Sequence, residues 1–265
     1  MALKIPPSIF REYDVRGIAG RDISPEFAEC LGMAYGKMAR ERSGKDTMKI
    51  AVGWDCRLTS DDYAAALVNG IRKAGHDVIQ LGVCPTPLTY FSIFHLKLDG
   101  GIMVTGSHNP ADYNGFKICI GKDTIHGKEI QELKKEMEAI APRFGHGSGE
   151  PDGHYKTGTV GQFDIIPAYV DFLAKHARPS QKKLKVVLDA GNGTASTVAP
   201  LLFERLGAQV IPLYCKLDGR FPNHHPDPTV VENLKDLIAT VRREKADMGI
   251  AFDGDSDRIG LVDEN

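Results

Sequence analysis

The strongest constraint on the fold of this chain is the regular alternation of short apolar runs with segments that read as helices. In the first half, apolar runs at residues 49–54, 76–81 and 101–105 are separated by segments 59–75 and 87–96. An earlier helix is expected after Ser24, because a capping serine, Pro25 and an early acid are typical of a helix start. The β-α-β-α-β order predicts a mainly parallel sheet with helices packed on it.

The same alternation resumes after residues 145–161, which are rich in glycine, histidine and small polar residues and are interpreted as a linker. Beyond it, strands are expected at 184–188, 209–213 and 247–252, and helices at 165–176, 197–206 and 231–244. We therefore expect an α/β fold of two domains, residues 1–153 and 154–265. Each is expected to be a mixed, mainly parallel sheet with helices packed on it.

Composition excludes several classes of protein. The chain has 265 residues, of which 42% are hydrophobic and 26% charged, as in an ordinary globular protein. Its formal net charge of -2 offers no electrostatic case for nucleic acid, and no apolar run is long enough to predict a membrane span. Its 5 cysteines are odd in number and lack the Cys-x-x-Cys spacing, which indicates reduced thiols and a cytoplasmic location.

The first candidate functional group is Ser107, in the polar turn Thr105-Gly106-Ser107-His108-Asn109-Pro110. The turn follows the apolar run 100–104, so the hydroxyl is expected at the carboxyl end of a strand. In open α/β sheets this edge is where ligands bind. A lone serine in a loop more often hydrogen-bonds local backbone, so Ser107 by itself does not establish a site.

A second cluster supplies three carboxylates, Asp253, Asp255 and Asp257, at alternate positions after the apolar run 248–251. Hard oxygen ligands at this spacing suit Mg²⁺ or Ca²⁺. An EF-hand is excluded because Arg258 occupies the position that requires glycine and because the flanking segments read as strands. A solvated acidic turn remains an alternative. Arg258 is either a phosphate clamp or a charge-balancing group.

Two further segments contain candidate side chains. Asn114-Gly115 is typical of a tight turn, and the strand that returns from it can direct Lys117 toward Ser107. The N-terminal segment 10–17 crowds charged groups and a phenol together, including Tyr13 and Arg16. Either segment alone is more often a surface loop than a site.

Two other motifs are interpreted as structural. The glycine-rich turn at 189–194 follows a predicted strand, as in dinucleotide-binding domains, but Ser196 replaces the third glycine and no acidic residue is clearly placed for a ribose. His224 and His225 lie near Asp227 and suggest a metal site, yet three prolines stiffen that segment. An inter-domain loop is the favoured interpretation.

Five motifs together resemble the bacterial phosphomannomutase/phosphoglucomutase family, which belongs to the α-D-phosphohexomutases. In chain order they are FREYDVRG (10–17), TGSHNP (105–110), DYNGFK (112–117), FPNHHPDP (221–228) and DGDSDR (253–258). The second and third are closer to the mannose/glucose branch than to the phosphoglucosamine mutase branch, which stays an alternative. The other alternative is a non-catalytic phosphate- or nucleotide-binding α/β module.

The resemblance implies a phosphohexomutase that interconverts hexose 1-phosphate and 6-phosphate, with mannose or glucose as the sugar, through a bisphosphorylated intermediate. Ser107 is then the phosphoryl carrier, with glucose 1,6-bisphosphate as the phosphorylating activator. Asp253, Asp255 and Asp257 hold Mg²⁺, whose ligands also include a phosphoserine oxygen from Ser107. Because phosphoryl transfer depends mainly on positioning and charge neutralisation, a metal ion suits this chemistry.

The resemblance also assigns catalytic positions to Ser107, His108, Lys117 and Arg16, and substrate-binding positions to Tyr13 and Arg258. It leaves open which of His108, Lys117 and Arg16 is the general base. A lysine base needs a lowered pKa, which nearby arginines favour and three close carboxylates oppose.

Two departures from the family pattern carry expectations. Ser256 stands where the family has glycine, and if its φ is positive the serine costs about 1 kcal/mol. The family has four domains, whose later segments recognise the sugar hydroxyls and the non-reacting phosphate. The chain is therefore expected to be an amino-terminal half with negligible turnover alone, and its expected partner is the missing carboxyl-terminal part of the same enzyme.

Overall fold

A computed structural model describes residues 3–145, 155–178 and 182–263. The first of its two sheets contains seven strands: β1 (Val15–Ile18), β2 (Lys49–Trp54), β3 (Asp77–Val83), β4 (Gly100–Val104), β5 (Tyr113–Ile120), β6 (Asp123–Thr124) and β7 (Val160–Gln162). Their order is β1-β5-β4-β2-β3-β7, with β6 beside β5. Strands β4, β2, β3 and β7 are parallel, whereas β1, β5 and β6 pair antiparallel.

Helices cover both faces of this sheet. They are α1 (Pro25–Ser43), α2 (Ser60–Lys73), α3 (Thr86–His95) and α4 (Lys128–Ile140). Strand β2 shows why its sequence is a continuous apolar run: Ile50 and Val52 are buried in one hydrophobic cluster, and the intervening Ala51 is buried in another on the opposite face. Helix α1 begins as the sequence predicts, since the Ser24 side chain accepts a hydrogen bond from the Phe27 amide.

The second sheet has the order β11-β10-β8-β9. Its strands are β8 (Lys185–Asp189), β9 (Gln209–Leu213), β10 (Met248–Phe252) and β11 (Ile259–Val262). The associated helices are α5 (Ile165–His176), α6 (Ala199–Arg205) and α7 (Lys235–Glu244), with 3-10 turns at Thr194–Thr197 and Val231–Leu234. Strands β10, β8 and β9 are parallel, and β11 is antiparallel to β10.

The two mixed sheets confirm the α/β fold class, and the antiparallel pairs have a common cause. Residues 105–112 join β4 to β5, and residues 253–258 join β10 to β11. Connections this short cannot make the crossover that parallel strands require. The two loops that carry the candidate site are therefore the loops that make the sheets mixed.

The expected division between the domains stays a prediction. The position 153/154 lies outside the described residues, and β7, part of the expected linker, pairs with β3 in the first sheet. Helix α5 then packs against both α3 and α6, with Ile165 fully buried beside Leu88. We propose that the first domain extends at least to Gln162. No helix within the described ranges is both long and apolar enough to cross a membrane.

Candidate active site

The turn at residues 105–110, here called the serine turn, and the loop at residues 253–258, here called the carboxylate loop, meet between the two sheets. Ser107 Oγ donates a hydrogen bond to Asp253 Oδ2 across 2.9 Å, although the residues are 146 positions apart in sequence. Both residues are buried, with 2% and 0% of their surface exposed. Gly254 permits this approach, since a Cβ added there would lie 2.5 Å from the Ser107 carbonyl oxygen.

Ser107 has a left-handed backbone conformation, with φ 49. Its amide donates to Thr105 Oγ1, and the Asn109 amide donates to the Gly106 carbonyl. Left-handed backbone is unfavourable for a residue with a side chain, so the surrounding contacts must stabilise this turn.

Two residues that the sequence analysis missed hold the turn in place. Asp55 accepts hydrogen bonds from Thr105 Oγ1 and the Gly106 amide, and it pairs with Arg57 at 3.1 Å. The Arg57 guanidinium donates to four carbonyl oxygens, those of Ser107, Asn109 and Pro110 in the turn and that of Tyr113 at the start of β5. The available signal was position: both residues follow β2, the strand next to β4, at the same sheet edge.

The three aspartates form a cluster suited to a cation. One ligand atom from each of Asp253, Asp255 and Asp257 lies within 4.8 Å of the others. Asp255 is fully buried, yet its Oδ1 has no hydrogen-bond partner. Burial, and then repulsion from the other two carboxylates, raises the pKa of Asp253 to about 8. Buried carboxylates that repel one another and leave an oxygen unpaired fit a divalent cation with oxygen ligands.

The backbone of the carboxylate loop turns inward around Asp253. Asp253 Oδ1 accepts hydrogen bonds from the amides of Asp257 and Arg258, both at 3.1 Å. Ser256 has φ 61, so the positive φ considered in the sequence analysis is present. Its hydroxyl lies 3.0 Å from Thr194 Oγ1, which offsets part of the conformational cost.

Lys117 lies against the cluster rather than against the serine. Its Nζ contacts Asp255 Oδ2 and Asp257 Oδ2, each at 2.5 Å. Burial opposes the charged ammonium, but attraction to the two carboxylates outweighs it, so the pKa of Lys117 is raised. The lowered pKa that a lysine base requires is therefore absent from this arrangement.

Arg258 and His108 are the polar groups beside the serine oxygen. Arg258 donates to Ser107 Oγ at 3.2 Å and to Asp253 Oδ2 at 2.9 Å. It also contacts His108 Nδ1, which lies 3.4 Å from Ser107 Oγ. Burial, and then repulsion from Arg16, lowers the pKa of Arg258. Arg258 thus both balances Asp253 and is placed to meet charge on the serine oxygen.

Arg16 and Tyr13 have different positions. Arg16 is buried, donates to Asn109 in the serine turn and to Asp14, and has an Nε without a hydrogen-bond partner. Tyr13 is 69% exposed, and its ring stacks on His126. Among the described residues, Arg16 therefore joins the serine turn, whereas Tyr13 lies outside the hydrogen-bond network around Ser107.

The two motifs interpreted as structural pack behind the carboxylate loop. Thr194, from the glycine-rich turn, donates to the Gly254 carbonyl oxygen through both its amide and its hydroxyl. His224 contacts Asp189 Oδ2 at 3.0 Å, not Asp227. Burial disfavours the charged imidazolium, but the Asp189 carboxylate outweighs this effect, so the pKa of His224 is raised. Thr194 thus supports the carboxylate loop directly, whereas His224 is held by Asp189 at the end of β8.

Comparison with known proteins follows the same division into two units. Residues 7–143 match the description phosphoglucomutase/phosphomannomutase, alpha/beta/alpha domain I. Residues 167–265 match alpha/beta/alpha domain II of the same family. Together these matches include every residue of the serine turn and of the carboxylate loop.

Curated relatives and solved structures agree. A phosphomannomutase/phosphoglucomutase of Pseudomonas aeruginosa is 44% identical over 258 residues, which cover 97% of this chain and 52% of the relative. A phosphoglucomutase of Neisseria gonorrhoeae is 40% identical, covering 97% of this chain and 53% of the relative. A phosphoglucomutase/phosphomannomutase family protein of Burkholderia thailandensis has a TM-score of 0.88 at 38% identity, covering 98% of this chain and 56% of that structure. The chain spans about half the length of the curated relatives it matches.

Proposed function

This chain belongs to the phosphoglucomutase/phosphomannomutase family, and we propose from that premise that Ser107 is a phosphoryl carrier for hexose phosphates. The observation that carries the proposal is the 2.9 Å contact between Ser107 Oγ and Asp253 Oδ2. It places a nucleophilic oxygen against a carboxylate cluster whose charge calls for a cation, the combination that phosphoryl transfer uses.

The proposed reaction interconverts 1-phosphates and 6-phosphates of mannose or glucose. In transfer to the sugar, the bond between phosphorus and Ser107 Oγ breaks as phosphorus bonds to a sugar hydroxyl oxygen. That hydroxyl passes its proton to a base, and Ser107 Oγ is left as an alkoxide that takes up a proton. The return step reverses these changes at the other end of the sugar. The relatives' names, phosphomannomutase and phosphoglucomutase, support this substrate class.

Mg²⁺ is the cation proposed for the cluster, held by Asp253, Asp255 and Asp257 together with an oxygen of the phosphate on Ser107. When bound, it supplies positive charge to the oxygens of the transferring phosphoryl group. The unpaired Asp255 Oδ1 and the crowding of three carboxylates support this assignment.

The surrounding side chains have distinct proposed roles. Arg258, 3.2 Å from Ser107 Oγ, stabilises negative charge that develops on that oxygen and binds substrate phosphate. Arg16, bonded to Asn109 of the serine turn, adds positive charge to the site, and Tyr13 contributes from the surface to substrate binding. His108 and Lys117 complete the catalytic set. Lys117 bonds to two carboxylates of the cluster, which favours charge balance as its role, and His108, beside Ser107 Oγ, is the proposed proton acceptor.

Intact-protein mass spectrometry tests the carrier directly. The chain is incubated with Mg²⁺ and glucose 1,6-bisphosphate, the proposed activator, and we expect a mass increase equal to one phosphoryl group. Ser107→Ala must abolish that increase, whereas Ser43→Ala, at an exposed serine at the end of α1, must retain it. If the wild-type chain gains no mass, or if Ser107→Ala still gains it, the proposal is refuted and a non-catalytic phosphate-binding module is favoured.

A further inference from the structure

Thr86 joins α3 to the carboxylate loop through two hydrogen bonds. Its hydroxyl donates to Asp255 Oδ2 at 2.6 Å, and its amide donates to the Asp255 carbonyl oxygen at 2.9 Å. Thr86 is fully buried and lies 169 positions before Asp255 in sequence. Two hydrogen bonds from one residue of the first domain therefore hold both the backbone and the side chain of Asp255.

The amide of Thr86 is free to do this because of its place in the helix. Thr86 is the first residue of α3, where backbone amides have no partner within the helix, and its neighbours Pro85 and Pro87 define the helix start. Its hydroxyl donates to Asp255 Oδ2. Both donors of Thr86 are thus directed outward to Asp255.

The two oxygens of the Asp255 carboxylate have unequal surroundings. Oδ2 accepts from Thr86 Oγ1 and from Lys117 Nζ, whereas the buried Oδ1 has no partner. Two donors on Oδ2 fix the rotation of the carboxylate and leave Oδ1 as the oxygen with both lone pairs open. Partners that orient a metal-binding carboxylate in this way affect affinity strongly, commonly by 10- to 100-fold.

We propose that Thr86 is a positioning residue for the metal site, which orients Asp255 so that Oδ1 is presented to the divalent cation. The inference rests on the proposed function only for the identity of the ion. It adds that the first domain supplies a residue that sets cation affinity, although all three carboxylates belong to the second domain.

The test compares Mg²⁺ binding to the whole chain by isothermal titration calorimetry, without substrate. Thr86→Val keeps the shape of the side chain and removes the hydroxyl, and we expect it to weaken Mg²⁺ binding by ~10- to 100-fold. Thr86→Ser keeps the hydroxyl and is expected to retain nearly the wild-type affinity. Thr89→Val is the matched control, because Thr89 is a fully buried threonine of the same helix whose hydroxyl contacts Met103.

A structural effect alone would lower the stability of Thr86→Val and Thr89→Val alike and leave the affinity of the folded chains unchanged. Equal Mg²⁺ affinity of Thr86→Val and the wild type would overturn the proposal, as would failure of the wild type to bind Mg²⁺. If Thr86→Val does not fold, Thr86→Ala is read by the same criteria. The calorimetric titration does not involve phosphorylation of Ser107, so the two proposals can fail separately. If the chain gains no phosphoryl mass but Thr86→Val still weakens Mg²⁺ binding, the role of Ser107 as phosphoryl carrier is refuted and this inference stands.

Discussion

Replacing Arg57 with methionine removes the guanidinium that supports the serine turn and leaves a side chain of similar length. Arg57 is fully buried at its side chain, as is its partner Asp55, with exposures of 0% and 1%. The change leaves the Asp55 carboxylate without a cation and removes one donor from each of four carbonyls, of which that of Pro110 still accepts from the Tyr113 amide. We expect this to be among the most destabilising single substitutions in the chain.

The expected cost follows from burial. Removing one partner of a buried ion pair costs about 3–5 kcal/mol, because the other charge stays buried and unpaired. Each carbonyl that remains buried without a donor adds about 1–3 kcal/mol, although those that reach water add less. Native domains are stable by only about 5–15 kcal/mol, so Arg57→Met brings the first domain close to its folding threshold.

Urea unfolding followed by circular dichroism measures the effect, with Arg220→Met as the matched control. Arg220 bonds to Asp218 through its amide and its guanidinium, and Arg57 bonds to Asp55 in the same way, also two residues earlier. The Arg220 side chain, however, is 72% exposed. We expect Arg57→Met to lower the unfolding midpoint strongly and Arg220→Met to leave it unchanged.

Equal midpoints for the two variants would refute the reasoning, because burial is the difference between the pairs. Amide hydrogen exchange provides a second check on the location of the effect. In Arg57→Met, protection should fall most in residues 105–113, the segment whose carbonyls lose their donor.

Three further predictions follow from single positions. Lys245 ends α7 with φ 49, so Lys245→Gly should raise the free energy of unfolding by about 1 kcal/mol, and an unchanged urea midpoint would contradict this. His76 accepts a hydrogen bond from the Met48 amide and donates one to the Gly36 carbonyl, and burial lowers its pKa. Its contribution to stability is therefore complete above the unfolded-state pKa of ~6.5. That contribution is lost as the pH falls from there through the lower pKa of the folded state. In His76→Gln, which lacks the titrating imidazole, the urea midpoints measured below and above pH ~6.5 should therefore differ less than they do in the wild type. In Gly254→Ala the new methyl group would lie 2.5 Å from the Ser107 carbonyl oxygen, and the displacement should slow Ser107 phosphorylation by ~100-fold in a mass-spectrometric time course.

Much of the fold could be read from the sequence because its signals are local. The strand at Lys49–Trp54 and the helix at Ile165–His176 have the expected bounds. Helices expected at 197–206 and 231–244 are shorter, since each begins as a 3-10 turn. Strands were expected at β5 and β11, but their antiparallel direction depends on loop length. The pairing of β7 with β3 joins segments with little apolar pattern, so periodicity did not predict it.

The candidate site divides in the same way. The motifs around Ser107 and Asp253 predicted the chemistry proposed for them, because a nucleophile and clustered carboxylates are recognisable as residue types. The direction of the shift in the pKa of Lys117 was not predictable, since arginines and carboxylates have opposite effects and only their distances decide the balance.

By itself, the sequence determined the α/β fold class, the family, and the two loops that carry the candidate site. Each of these depends on patterns within a short stretch of chain. Only the tertiary structure decided that Arg57 supports the serine turn and that Thr86 orients Asp255. These contacts join residues 50 and 169 positions apart, and a hydrogen bond requires an approach to about 3 Å that no local pattern encodes.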